Sequence, residues 1–267
     1  MQRASATTLL WHLAAWAACA YFLWRAEQLF GSPHANTLAF GGRYAFLTQL
    51  THTALAGYFT FLVVYDLYHL IATTPTPPPS SSAKARKKNP EPTSSSTAKR
   101  LNALNDYLFV LLFVFTSLVG LMFWGLFFYD QELILPRSVQ HYYPQDLNYF
   151  QHGAVMLLMW LEAVVCRRAH RNRSAAAELA LVLAFGLLYL VWTFALVRLN
   201  GGQWPYAFQR DMDLRGHAAF NLVGAGVIVV AFALARGVRA LLNPNPRATG
   251  AAPHVGKKRA NPKKKQT

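Results

Sequence analysis

The chain has 267 residues, of which 54% are hydrophobic and only 14% are charged. About a quarter of the residues in soluble globular domains are charged, so this composition excludes an ordinary soluble domain. Lys and Arg together number 26, and the formal net charge is +15. A basic balance can indicate nucleic-acid binding, an anionic membrane face or membrane topology signals, and the placement of the charges distinguishes these classes.

Six apolar stretches are long enough to cross a bilayer, whose core of about 30 Å takes roughly 20 residues of helix. The alternation typical of membrane barrel strands is absent. We expect the first stretch to be a retained span, because no clear signal-peptide cleavage site follows it. The sequence therefore predicts an all-α, polytopic membrane helical bundle with six transmembrane helices, at residues 8–24, 45–71, 104–128, 149–166, 178–197 and 217–238.

The loop charges predict the orientation of this bundle. The N-terminus, the linker after the second span, the loop after the fourth span and the tail together hold most of the Lys and Arg. By the positive-inside rule, both termini are cytoplasmic. The basic charge is then a topology signal, and no nucleic-acid partner is expected because no recognition motif accompanies it. The opposite, luminal side holds only Arg25, Arg43, Arg137, Arg198, Arg210 and Arg215.

Two basic segments lie outside the predicted spans. The chain divides into spans 1 and 2 at 1–71, a Pro/Ser-rich linker at 72–103, spans 3 to 6 at 104–238 and a tail at 239–267. The linker and the tail are predicted to be disordered and cytoplasmic, since they cannot bury apolar area. The tail ends in "KKQT", which resembles the dilysine retrieval signal of endoplasmic-reticulum membrane proteins. A polybasic patch near anionic lipid is the alternative.

Polar side chains inside the spans are costly unless they are paired or used. Thr48 and His152 each lie three residues inside a span that enters from the luminal side, so both are about 4.5 Å deep. A hydroxyl and an imidazole at one depth can form a nucleophile and its general base. The alternatives are that Thr48 bonds a backbone carbonyl and that His152 is half-solvated.

Other polar residues could face the same luminal cavity. His52 follows Thr48 by four residues on one helix face, and it could replace His152 as the base. Asp130, Trp204 and His217 stand near the luminal ends of spans or in a luminal loop, although Trp204 also fits an aromatic interface belt. Asp66 and Asp106 are expected to be structural. Glu162 lies roughly 15 Å deeper than His152 and has no assigned role.

No metal or cofactor is predicted. Cys19 and Cys166 lie in apolar runs without metal-ligand spacing, which favours small buried hydrophobes. Haem between paired histidines is disfavoured, because His52 and His69 differ by about 260° in direction around a helix. His170, beyond the fourth span, lies in a solvated basic loop.

Four motifs resemble those of the androgen-induced protein and androgen-dependent TFPI-regulating protein family. They are "FGGRYAFLTQLTHTAL", "FFYDQELILPRSV", "LNYFQHGAVMLLMWLEAVV" and "GGQWPYAF". The resemblance covers about residues 40–208, apart from the linker. It implies a membrane threonine hydrolase that cleaves fatty acid esters of hydroxy fatty acids. The resemblance further implies that Thr48, in "FLT", is the nucleophile and that His152, in "HG", is its base.

The sequence departs from the family pattern in two places. Gln151 precedes the histidine where the family usually has asparagine, and Pro205 comes before rather than after the loop tyrosine. These departures leave Thr48 and His152 in place, and the resemblance implies a lipid ester as the substrate. No residue is singled out as the oxyanion donor among Gln151, Asn148, Trp204 and His217. The alternative function is a lipid-binding or lipid-transport protein that uses the same cavity without catalysis.

Overall fold

The computed structural model describes residues 5–31, 39–72, 96–166 and 172–243. The regular elements of these residues are helical, which confirms the all-α prediction. In chain order they are α1 (Ala6–Phe30), a 3-10 turn (Arg43–Ala45), α2 (Leu47–Ala72), α3 (Ser96–Tyr129), α4 (Gln131–Ile134), α5 (Arg137–Gln140), α6 (Gln145–Tyr149), a π-helical turn (Phe150–Ala154), α7 (Val155–Val165), α8 (Ala175–Leu199), a second 3-10 turn (Ala207–Asp211) and α9 (Leu214–Leu242).

Five of the described helices are long and apolar enough to cross a membrane: α1, α2, α3, α8 and α9. The predicted span at 149–166 is not one regular helix, because it runs through the end of α6, the π-helical turn and α7. The chain is therefore a helical, multi-pass membrane protein. The sixth span and the cytoplasmic position of both termini stay predictions.

Helix α3 is the centre of the bundle. It packs against α2, α7, α8 and α9, and its core-facing side carries the buried rings of Phe109, Phe113 and Phe115. Aromatic side chains bury a large apolar area each, so this helix supplies much of the packing surface. The outer helices expose large apolar side chains such as Leu188 and Val229, as expected for surfaces that face lipid.

The described helices extend into the segments that the sequence predicts as linker and tail. Helix α2 ends at Ala72 and α3 begins at Ser96, and the Tyr65 hydroxyl donates a hydrogen bond to Asn102 in the first two turns of α3. Helix α9 continues past the boundary at 239, because Arg239 is buried against Glu178. The rest of the linker and the tail, including "KKQT", lie outside the described residues.

Two buried carboxylates form ion pairs that join α3, the residues just before α8, α8 and α9 at the end of the bundle that is predicted to be cytoplasmic. Arg173 Nε lies 2.5 Å from Asp106 Oδ2, and Arg239 Nη2 lies 2.9 Å from Glu178 Oε2. Arg236 contacts the same oxygen of Glu178. The structural role expected for Asp106 agrees with this arrangement, since buried carboxylates are stable only when they are paired.

Candidate active site

Thr48 stands in the first turn of α2, at the end of the bundle predicted to be luminal. The chain enters this helix through Gly41 and Gly42, whose φ angles are +91° and +50°. Glycine adopts positive φ readily because it has no Cβ. The Leu47 backbone N–H then donates to the Tyr189 hydroxyl of α8 at 3.2 Å. These features fix the position of Thr48 against α8.

His152 stands in the π-helical turn between α6 and α7. The Val155 N–H donates to the Phe150 carbonyl, five residues earlier, so the helix is locally widened. Trp124 of α3 donates its indole N–H to the His152 carbonyl at 2.9 Å. Gly120, one turn earlier on α3, permits this close approach, because a Cβ at that position would lie 3.0 Å from the same carbonyl oxygen.

The side chains of Thr48 and His152 meet across two helices. Thr48 Oγ1 lies 3.3 Å from His152 Nε2, and His152 Nδ1 lies 3.0 Å from the Asn148 carbonyl oxygen. A carbonyl can only accept, so Nδ1 carries the proton and Nε2 is left with its lone pair toward the Thr48 hydroxyl. Phe123 stacks on the imidazole with ring centroids 3.7 Å apart. The arrangement has the polarity required of a nucleophile and its general base.

A buried network of amide groups lies behind this pair. Gln49 and Gln151 exchange hydrogen bonds of 3.0 and 3.3 Å between their side-chain amides. Gln151 also donates to His52 Nδ1 at 3.2 Å and accepts from the Tyr143 hydroxyl at 2.7 Å. Burial raises the pKa of Tyr143 well above its ordinary value, so this phenol remains a donor. Both His52 nitrogens are engaged, because Nε2 donates to the Cys19 carbonyl at 3.2 Å.

Thr48 and His152 open onto a cavity of about 840 Å³. This volume lies within the usual range for ligand sites, about 300–1,000 Å³. The wall is largely apolar and is built by residues of α1, α2, α3, α8 and α9 and by the segments that follow α4 and α8. Its apolar members include Phe115, Leu118, Met122, Leu187, Phe194 and Ile228. Asn148 also lines the cavity, and Arg210 lies exposed at its wall.

Some of the residues predicted to face the cavity line it, and others do not. Trp204 lines the wall, while His217 lies behind it, stacked on the indole with ring centroids 4.2 Å apart. His52 and Gln151 do not line the cavity, because they are held in the amide network. Asp130 does not line it either, because its carboxylate caps α4 and accepts from the Glu132 N–H at 3.0 Å.

Gln49 and Tyr143 are polar neighbours of the site that sequence reasoning did not select. Gln49 follows Thr48 in the polar run "TQLTH", and the cost of an amide in a membrane helix could have singled it out. Tyr143 lies between α5 and α6, where the sequence carries no signal for its contact with Gln151. The role of the Asn148 carbonyl could not be predicted, because a backbone acceptor has no sequence signature.

The helices and this site define a multi-pass membrane protein with a polar Thr–His pair at the wall of an apolar cavity. The profile of the FAR-17a/AIG1-like protein family matches residues 7–240. The chain therefore belongs to the FAR-17a/AIG1-like family, as its motifs predict. No solved structure gives a significant match.

The curated relatives are similar at modest identity. Androgen-dependent TFPI-regulating protein of Mesocricetus auratus is 31% identical over 129 residues, which are 47% of this chain and 53% of the relative. Androgen-induced gene 1 protein of Homo sapiens is 26% identical over 170 residues, covering 63% and 64%. The human androgen-dependent TFPI-regulating protein is 32% identical over 126 residues, covering 46% and 52%. The matched region thus spans about half to two thirds of these relatives.

Proposed function

We propose that this chain is a membrane lipid-ester hydrolase with Thr48 as its nucleophile and His152 as its general base. The observation that carries the proposal is the 3.3 Å contact from Thr48 Oγ1 to His152 Nε2 at the wall of the apolar cavity. The bond from His152 Nδ1 to a carbonyl supports it, because that bond leaves Nε2 free to accept the hydroxyl proton.

The reaction has two steps. The Thr48 oxygen attacks the ester carbonyl while its proton passes to His152 Nε2, and the imidazolium then returns the proton to the leaving alkoxide. The resulting acyl-Thr48 ester is hydrolysed by water, which His152 deprotonates in turn. The products are a fatty acid and an alcohol. The apolar wall supports acyl chains as the ligand, since burial of methylene groups stabilises their binding.

Asn148 is the proposed donor to the carbonyl oxygen as negative charge develops there. It lines the cavity one turn before His152, and its side-chain oxygen makes no hydrogen bond to a described residue. The assignment of amide oxygen and nitrogen is interchangeable by rotation, so the side chain can present its N–H to the substrate. Gln151 is a poorer donor, because its amide is held by Gln49 and His52.

Arg210 supports a substrate that carries a free carboxylate. Its guanidinium lies exposed at the cavity wall and forms no ion pair with the residues that the structure describes. A carboxylate favours arginine through paired hydrogen bonds. Fatty acid esters of hydroxy fatty acids combine such a carboxylate with an internal ester and two apolar chains. We propose this substrate class, with the endoplasmic-reticulum membrane as the location and the cavity open to its luminal side.

The test is release of free fatty acid by the purified chain in detergent, with esters of hydroxy fatty acids and their methyl esters as a panel. Thr48→Ala should lower turnover by about 10³-fold or more, and His152→Ala should have a similar effect. Thr48→Ser should retain part of the turnover because a hydroxyl remains. The free-acid esters should be preferred over the methyl esters.

The matched control is Thr51→Ala. Thr51 is buried on the same helix and its hydroxyl makes no hydrogen bond to a described residue, so turnover should stay near the wild-type value. Turnover that survives in folded Thr48→Ala would contradict the covalent mechanism. Lipid binding without product release by the wild type would instead support a lipid-binding or transport protein.

A further inference from the structure

Four buried side chains with metal-binding chemistry meet at the opposite end of the bundle from Thr48. His12 lies in α1, Asp66 near the end of α2, and Glu162 and Cys166 at the end of α7. Their exposed fractions are 0–4%. None of them lines the cavity or contacts the Thr48–His152 pair, so the proposed hydrolysis leaves this cluster without a role.

The donor atoms of three of these side chains converge on a small volume. His12 Nε2 lies 3.3 Å from Glu162 Oε2 and 3.3 Å from Cys166 Sγ. One donor atom from each residue lies within 4.8 Å of the other two. Imidazole, carboxylate and thiolate are zinc ligands, and tetrahedral bonds of about 2.0–2.3 Å place such donors about 3.3–3.6 Å apart. The two separations from His12 Nε2 therefore match those between ligands of a bound zinc ion.

Asp66 holds the imidazole in the orientation that a metal site requires. Its Oδ2 atom lies 2.8 Å from His12 Nδ1, so Nδ1 donates its proton there and Nε2 faces Glu162 and Cys166, where it can bind a metal ion once it is deprotonated. A ligating histidine commonly gives its second N–H to a carboxylate in this way. Trp11 donates to Glu162 Oε2 at 2.7 Å and so fixes the second carboxylate.

The charge of the cluster favours a divalent cation. Two buried carboxylates and a thiol converge on a single imidazole. Ionised groups are costly in a low-dielectric interior, and a bound cation lowers that cost while it keeps the thiol deprotonated. A thiolate ligand selects zinc over calcium or magnesium, which prefer oxygen ligands alone.

We propose that His12, Glu162 and Cys166 bind a Zn²⁺ ion, with Asp66 as the partner that orients His12. The ion joins α1 to α7, and Asp66 extends the connection to α2. Three protein ligands leave a fourth position for water or another donor. The site is separate from the proposed hydrolysis and does not depend on it.

The experiment uses Co²⁺ as a spectroscopic probe of the full chain in detergent after treatment with a chelator. The wild type should bind about one Co²⁺ per chain, with a near-ultraviolet thiolate-to-cobalt band that Zn²⁺ removes by competition. Asp66→Asn should keep the band but weaken Co²⁺ affinity by about 10- to 100-fold. Wild-type protein that shows no thiolate band would overturn the proposal.

The two buried cysteines provide a matched pair of variants. Cys166→Ala should abolish the band, whereas Cys19→Ala should retain it, since Cys19 is buried elsewhere on α1. Zn²⁺ should also raise the unfolding temperature of the wild type and of Cys19→Ala but not that of Cys166→Ala, because a ligand stabilises only a fold that binds it. A band that survives in Cys166→Ala, or an equal Zn²⁺ shift in all three proteins, would contradict the assignment.

Discussion

His152 has two ring nitrogens in different surroundings. Nδ1 faces the Asn148 carbonyl and Nε2 faces the Thr48 hydroxyl. The stacked ring of Phe123 covers one side of the imidazole, which limits its rotation. His52 is a contrasting case, because an amide and a carbonyl occupy both of its nitrogens. Burial alone therefore does not distinguish the proposed general base from His52, whereas the partners of the two nitrogens do.

Asn148→Ala tests the proposed donor to the oxyanion. We expect kcat to fall by about 10²-fold or more, because removal of one such donor typically costs that much. KM should change little, since the contact strengthens only as negative charge develops on the oxygen. The measurement is steady-state release of fatty acid from the ester panel.

Asn221→Ala is the matched control for this variant. Asn221 also lines the cavity, but its amide donates to the His217 carbonyl of its own helix at 2.8 Å. Its replacement should leave kcat within about threefold of the wild type, since that amide is already engaged. If Asn148→Ala and Asn221→Ala had equal kcat values, the oxyanion role of Asn148 would be wrong.

At the scale of elements, the π-helical turn decides where His152 points. The sequence predicts a membrane segment at 149–166, and the resemblance identifies the histidine within it. The widened turn at Phe150–Ala154 has no signature in the apolar pattern, since one extra residue in a turn leaves the run of apolar residues continuous. The turn packs against Trp124 and Gly120 of α3. Contacts between segments that are distant in sequence cannot be predicted from the residues of the turn alone.

Gly120→Ala tests the contact between α3 and the turn. An added Cβ would lie 3.0 Å from the His152 carbonyl and 3.2 Å from Met156 Sδ. The turn must then move by a few tenths of an ångström. We expect kcat to fall by about tenfold, because small displacements of a catalytic group are costly. The measurement is ester turnover together with the unfolding temperature.

Gly125→Ala on the same helix separates this effect from the change in helix propensity. A Cβ at Gly125 would meet no atom within 4 Å, and alanine favours helix over glycine by about 1 kcal/mol. This variant should keep full turnover and unfold at the same or a higher temperature. Equal losses of turnover in the two variants would show that close packing at Gly120 is not the cause.

At the scale of the whole molecule, the apolar composition predicts a membrane protein, and the apolar runs predict most of its helices. Apolar length is sufficient to place α1, α2, α3, α8 and α9, because the bilayer sets a minimum length for a spanning helix. The ends of the helices are less predictable, because residues near those ends have partners on other helices. Arg239 of α9 pairs with Glu178 of α8, and Asn102 of α3 bonds to Tyr65 of α2. The contacts of Glu162 and Asp66 could not be predicted either, because their shared partner His12 is distant in sequence.

The number of spans can be tested through the two termini. Six spans place both termini on one side of the membrane, whereas five place them on opposite sides. The positive-inside rule predicts that both are cytoplasmic. Epitope tags at the two ends should therefore both be removed by protease when only the plasma membrane is permeabilised. One tag that is cleaved and one that is protected until the internal membranes are opened would contradict the six spans, and two protected tags would contradict the cytoplasmic orientation.

The most direct measurement for the central claim is the site of covalent labelling by an alkyl fluorophosphonate. The purified chain is treated with the reagent, digested and mapped by mass spectrometry. The proposed mechanism predicts one phosphonate adduct on Thr48, which is absent from Thr48→Ala and strongly reduced in His152→Ala. An adduct on another residue, or no adduct on a chain that hydrolyses the ester, would contradict Thr48 as the nucleophile.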